Sequence, residues 1–335
     1  MRNSDRSDPV PRASWRRRAL WALALPWFIG TAGAETWPVK PLKLIVPFPP
    51  GGPTDTASRI LGQKLADRLK QPVVVENRAG ASGSMAAAQL TKAPADGYTL
   101  MMLATPTLLA PHLYKKAGYD TSRDFTPVAT VYDLPIVIVV NPTLLPSVTD
   151  LQKLITHVRA RPGQLNYTSS GVGSFGHLSM ELLKQMGRFE MEHVPYKGSI
   201  PAITDTLGGQ VPVMYADLVG ALPHLQSGKL RAIAVGSPQR VGVVPQIPTI
   251  AEQGFKGFDA VSWGGLLAPQ GTPKAVVQRI GDEVQAILAE KETQERLLTV
   301  GALARYQPAE QMAARIQGDY TKWGRVIREK GISFD

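Results

Sequence analysis

Three times in this chain a strand-like run ends in a turn rich in glycine and hydroxyl residues, then passes directly into an amphipathic stretch. The turns are PFPPGGPTD at 47–55, ENRAGASGSMAAAQL at 76–90 and YTSSGVGSFGH at 167–177. A chain that repeatedly turns from strand to helix within a few residues is committed to βαβ units and a largely parallel sheet. The remaining pattern agrees. LKLIVPF (42–48), VVVEN (73–77), YTLMMLA (98–104) and the very apolar PIVIVVNP (135–142) read as buried strands. LNYTSS, EMEHVPY, VPVMYAD and LRAIAVGS form a second set. Helices are predicted over about 54–70, 84–92 and 199–207, from near His177, and over VTDLQKLITHVRAR, with Thr149 as its cap and Pro162-Gly163 as its stop. From WGGLLAPQGTP onward the pattern is mostly helical, over 272–291 and 308–330, without strands of its own, and should pack back on the first half. Two α/β lobes joined by two crossings, with a cleft between them, satisfy this order. Lobe 1 takes residues 35–137 and 261–335, and lobe 2 takes 138–260.

The N-terminus bears on compartment. Arg16, Arg17 and Arg18 precede ALWALALPWFI, an apolar run of 11 residues, and then the small-x-small pattern Ala32-Gly33-Ala34. That is a secretory signal peptide over 1–34, too short to span a bilayer. Ala19-Leu20 match the twin-arginine signal weakly, so the general export route is expected. Cleavage removes six arginines and two aspartates, lowering the formal charge from +10 to +6. The remaining basic residues are spread out, without the aromatic-interleaved run that marks nucleic-acid binding. A mildly positive surface suits small anions. With no cysteine, disulfides, thiolate metal sites and a lipidated cysteine are excluded.

The turns themselves suggest anion binding. Helix N-termini present unpaired N–H groups, and glycine lets a ligand approach them. Taken alone, Thr54 and Asp55 read as an ordinary capped helix start; three such turns in one chain are harder to explain as caps. A P-loop is excluded because no G-K-[ST] follows any of them. Gly171, Gly173 and Gly176 spell the dinucleotide pattern G-x-G-x-x-G, with Glu190 and Glu192 about 20 residues on. The strand before it is hydroxyl-rich and begins midway along the chain, unlike a dinucleotide fold. Glu190 and Glu192 alternate about Met191 as a solvent-facing strand edge would. The five histidines lack metal-ligand spacing, Ser174 does not sit in a nucleophile elbow, and His177 reads as a cap or packing residue. No cofactor, metal or catalytic residue is expected.

LIVPFPPGGPTD, VVENRAGASGS, ADGYTL, DFTPVA, TSSGVGSFGHLSMELL, HVPYKGSIPAITDTLGGQV, LPHLQSGKLRAIAV and WGGLLAPQGTP occur in this order. Over essentially the whole mature chain they resemble the periplasmic solute-binding receptors of tripartite tricarboxylate transporters, the Bug-type receptors. The resemblance implies a two-lobed periplasmic binding fold (type II-like) that closes on a small carboxylate, held largely by backbone amides, hydroxyls and water. By motif, Phe48, Pro50, Gly51, Gly52, Thr54 and Asp55 would line one wall, and Gly80, Ala81, Ser82, Gly83 and Ser84 would add amides, with Thr105 adding a hydroxyl. The other lobe would supply Thr168, Ser169, Ser170, Gly171, Gly173 and His177, with Tyr196, Lys197 and Asp217 as lesser candidates. Ser82 and Ala86 stand where the family usually has glycine, and Asp217 lies one place beyond a common aspartate position, here Ala216. The implied partners are the carboxylate and the permease subunits, with the receptor itself a monomer. The alternatives are an exported α/β enzyme acting on a nucleotide or acyl substrate, and a ligand-sensing partner of a membrane signalling protein.

Overall fold

A computed structural model describes residues 37–334; the signal peptide expected over 1–34 lies outside the described residues. The chain runs β1 (Leu42–Val46), α1 (Pro53–Leu69), β2 (Val73–Asn77), a 3-10 turn at Ala81–Gly83, α2 (Ser84–Leu90), β3 (Thr99–Ala104) and α3 (Thr105–Leu113). β4 (Phe125–Val140) follows, then α4 (Leu151–Ala160), β5 (Asn166–Ser169), α5 (Phe175–Gly187), β6 (Glu192–Pro195), α6 (Ser199–Leu207), β7 (Val213–Asp217), α7 (Leu218–Gln226) and β8 (Arg231–Val235). The return comprises β9 (Val261–Pro269), α8 (Lys274–Ala289), α9 (Lys291–Leu298), β10 (Leu303–Pro308) and α10 (Ala309–Glu329).

The parallel units are present at both ends of the sheet: β1 pairs in parallel with β2 and β3, and β5 with β6 and β7. The middle is antiparallel. β9 lies between β3 and β4 and runs opposite to both, and β10 also pairs with β4. β4 is the strand the two halves share. Up to Pro135 its partners are β9 and β10; from Ile136 they are β7 and β8. Proline cannot donate to a ladder, and Pro135 stands at the position where the partners change. The chain crosses back at Ala260, whose N–H bonds Gly236 O (2.8 Å), while Gly236 N bonds Ile136 O (3.0 Å). A Cβ at Gly236 would lie 2.5 Å from Tyr215 Oη and 2.7 Å from Ala260 O, so only glycine permits this approach.

Several expectations need correction. The strand predicted at 135–142 begins ten residues earlier, and α3 and α7 had no helical signal strong enough to register. The last third of the chain does contribute strands, β9 and β10. α8 packs on α1 and β4, and α9 on β10, in the first half as expected, whereas α10 packs on both α3 and α5. One buried cluster consequently runs from Ile45, Met101 and Leu109 through Trp323, Val326 and Ile327 of α10 to Leu178 and Leu183 of α5. The cap of α4 is Asp150, not Thr149: the Asp150 carboxylate accepts from Lys153 N (2.8 Å), and Thr149 donates its hydroxyl to that carboxylate instead. A carboxylate makes the stronger acceptor for a helix N–H.

Candidate functional site

The first turn is open. Gly51 has φ +91° and Gly52 is the N-cap of α1 with φ −79°, and neither has an atom within 4 Å of where a Cβ would stand. No side chain caps α1 at Gly52, and Pro53 has no N–H to satisfy. Asp55 is buried and fully engaged: it accepts from Gly51 N (2.9 Å), Asn77 Nδ2 (2.8 Å) and Arg59 Nε (3.0 Å). Burial pushes its pKa up, but the bonds from Arg59, Gly51 and Asn77 prevail and hold it below the ordinary carboxylate value. Asn77 also donates to Phe48 O (2.9 Å), and Tyr132 donates to Thr54 Oγ1 (2.9 Å). Thr54 and Asp55 thus shape this turn from within, and Phe48, Pro50, Gly51 and Gly52 form its outer surface.

The second turn is wound tightly. Gly80, Ala81, Ser82 and Gly83 have φ of +141°, +45°, +53° and +92° in succession. Two of these are non-glycine residues in the left-handed region, a strain that clusters at functional loops. A Cβ on Gly83 would meet Thr107 Oγ1 and lie 2.8 Å from Pro47 Cβ, which fixes this turn against the first. Thr107 Oγ1 is itself buried without a hydrogen-bond partner. α2 begins after Gly83 with no side-chain cap, and Ser84 is buried in its first turn. Thr105 lies deeper: its hydroxyl bonds both Trp263 N (2.8 Å) and Trp263 O (3.2 Å).

The third turn is laced by side chains. Ser169 Oγ lies 2.7 Å from His193 Nε2 and 3.0 Å from Ser174 Oγ, and donates to Gly171 O (3.1 Å). Thr168 donates to Val194 O (2.8 Å). His177 Nδ1 accepts from Gly173 N (3.0 Å), so it holds the turn as an unprotonated acceptor at that nitrogen. The rings of His177 and His193 stack at 4.0 Å with Tyr167 beyond. Burial, then the neighbouring His177, lowers His193 to about 4, and burial lowers His177 as well. Ser174 caps α5 by accepting from His177 N (3.3 Å), so of the three helix starts only α1 and α2 are left without a side-chain cap. Ser170 O receives Gly198 N (3.1 Å), and a Cβ on Gly171 would lie 3.0 Å from Tyr196 O. Tyr196 donates to Asp205, and the exposed Asp217 accepts from Ser199 (2.6 Å).

The residues singled out from sequence therefore fall into two sets. Phe48–Asp55, Gly80–Ser84 and Thr105 gather at one end of β1, β2 and β3; Thr168–His177 and Tyr196 gather at the end of β5 and β6, with Asp217 at the end of β7. Asn77, Tyr132 and His193, which hold these turns from behind, were not singled out from the sequence. Asn77 had a signal, an amide ending an apolar strand directly before a glycine turn. Glu190 and Glu192 are exposed, and Glu190 pairs with Lys184 (3.3 Å), away from the glycines. Among the described residues no group of three or more His, Asp or Glu could hold a metal, and no helix is long and apolar enough to cross a membrane.

Two α/β halves sharing one long strand, with ligand-type turns at the strand ends of each, define a two-lobed solute-binding protein. The chain belongs to the tripartite tricarboxylate transporter family receptors, whose family model matches residues 57–332. It is 37% identical to Protein BugT of Bordetella pertussis over 91% of this chain and 95% of that protein. Among solved structures it is similar to Rpa4515 of R. palustris with adipate (36% identity, TM-score 0.73, covering 88% of this chain and 99% of that one). It is also similar to MatC of Rhodopseudomonas palustris with bound malate (33% identity, TM-score 0.68, 87% and 99%).

Proposed function

We propose that this chain is exported to the periplasm, captures a small carboxylate between its two sets of glycine turns, and delivers it to a membrane permease. The observation that carries the reading is the open turn at Gly52, where α1 starts without a side-chain cap and leaves room for an anion at its first-turn N–H groups. The relatives holding adipate and malate support a ligand with carboxylates at both ends. Cleavage after Ala34, a monomeric receptor, and lobes of 35–137 with 261–335 and of 138–260 belong to the same reading. The change of β4 partners at Pro135 and Ile136 supports the lobe division. Capture and release without turnover distinguishes this function from an exported enzyme.

The test is a thermal-shift screen of mono- and dicarboxylates beside their amides and esters. A bound carboxylate at a hundredfold excess over Kd stabilises the native state by about 2.7 kcal/mol. Raised melting with the acids alone, and acids recovered unchanged, is expected. Equal shifts with the neutral amides, or a consumed ligand, would overturn the proposal.

A further inference from the structure

Phe334, just beyond α10, touches both halves of the molecule. Its N–H donates to Leu113 O (3.0 Å) at the end of α3, which fastens it to the first half. Its ring packs against Tyr114, with centroids 5.1 Å apart. Tyr114 Oη lies 3.3 Å from Ser82 Oγ in the second glycine turn. In the opposite direction the tip of the Phe334 ring meets the third turn: a Cβ on Gly173 would lie 2.6 Å from Cζ. The same glycine is held from its N–H by His177. The ring is thus 40% exposed while it packs on a glycine backbone in the other half.

We propose that Tyr114 and Phe334 form an aromatic strap between the Ser82 and Gly173 turns, and that this strap sets the spacing which the two ends of a ligand must match. The strap makes Phe334 a specificity-determining residue for the length of a dicarboxylate; this part rests on the function proposed above. The mechanical part does not. Gly173 has φ +65° and no side chain, so the ring seats directly on its backbone, and any shift of the turn must move or break that contact. Tyr114 transmits the same constraint to Ser82, where the backbone is already in the left-handed region. The strap thus connects two residues held in the left-handed region, Ser82 and Gly173.

The chain has no cysteine, so spin labels can be placed uniquely at Ala79→Cys and Val172→Cys, both exposed positions beside the two turns. Double electron–electron resonance without ligand should give one narrow distance. Phe334→Ala should broaden and lengthen it, Tyr114→Leu should do likewise, and Phe334→Leu should fall between. A Phe334→Ala distribution that superposes on the parent overturns the strap, with circular dichroism melts confirming that both are folded. Calorimetry across three- to six-carbon dicarboxylates then tests selectivity: Phe334→Ala should compress the spread of Kd about tenfold, or ~1.4 kcal/mol. A spread unchanged within twofold overturns the length-setting role. Gly52→Asp separates the two ideas: if it binds as the parent does, the anion reading of the turns fails while the distance measurement still judges the strap.

Discussion

Gly52 and Gly83 end turns of one sequence signature and sit in opposite surroundings. At Gly52 the backbone angles are ordinary for any residue, and glycine serves only to leave space. At Gly83 a Cβ would collide with Thr107 and Pro47 and φ is +92°, so both packing and backbone require glycine. A glycine that keeps a site open can be replaced at little cost to the fold; one in a filled, left-handed position is replaced only at a cost in stability. The third turn differs again, since its glycines are held in place by His177, Ser169 and Phe334.

The largest effect should come from Gly52→Asp. An aspartate suits an N-cap, so the fold should melt within a few degrees of the parent. Its carboxylate would answer the first-turn N–H groups and repel an incoming anion. Two like charges about 4 Å apart cost about 4 kcal/mol at an effective dielectric near 20, close to a thousandfold in affinity. Near-parent affinity by calorimetry would break the contrast at its open end. Gly83→Ala should act through stability instead, costing about 2–3 kcal/mol by strain and overpacking, read from urea midpoints. A loss under about 0.5 kcal/mol would mean that the tight turn has as much room as the open one.

The third turn adds a pH arm. The native pKa of His193 is about 4, below the unfolded value of 6.5, so the native state favours the neutral ring. That contribution is fully present above pH 6.5 and is lost as pH falls from 6.5 towards 4. Allowing for partial exposure, the loss is on the order of 1–2 kcal/mol. His193→Gln should flatten that part of the stability profile; an unchanged slope would refute the assignment. The smallest change is Ser82→Gly, which relieves a left-handed non-glycine residue (φ +53°) and should raise stability by about 0.5–1 kcal/mol. A neutral or negative result would mean that the Ser82–Tyr114 contact outweighs the strain.

Much of this was legible in the chain itself. VVVEN, the helix over 199–207 and all three turns were readable because apolar runs and glycine clusters are local signals. What glycine was doing at each turn was not, since the letter is the same whether it supplies room or a positive φ. β9 escaped notice because WGGLLAP, with two adjacent glycines, opens a mostly helical stretch; in the fold Gly264 and Gly265 make room for Tyr132 and Met312. Asp55 read as a cap, whereas its partners Asn77 and Gly51 could be known only once β2 lay beside β1.

The position of β9 between β3 and β4 has a consequence for how the molecule comes into being. Until residues 261–269 are in place, β3 and β4 lack the strand that joins them, and α10, which covers both halves, comes later still in the chain. Early segments can form isolated hairpins of strand and helix but cannot close a finished sheet. A chain of this topology cannot complete its sheet before residues 261–335 are available, and that last stretch acts as the keystone.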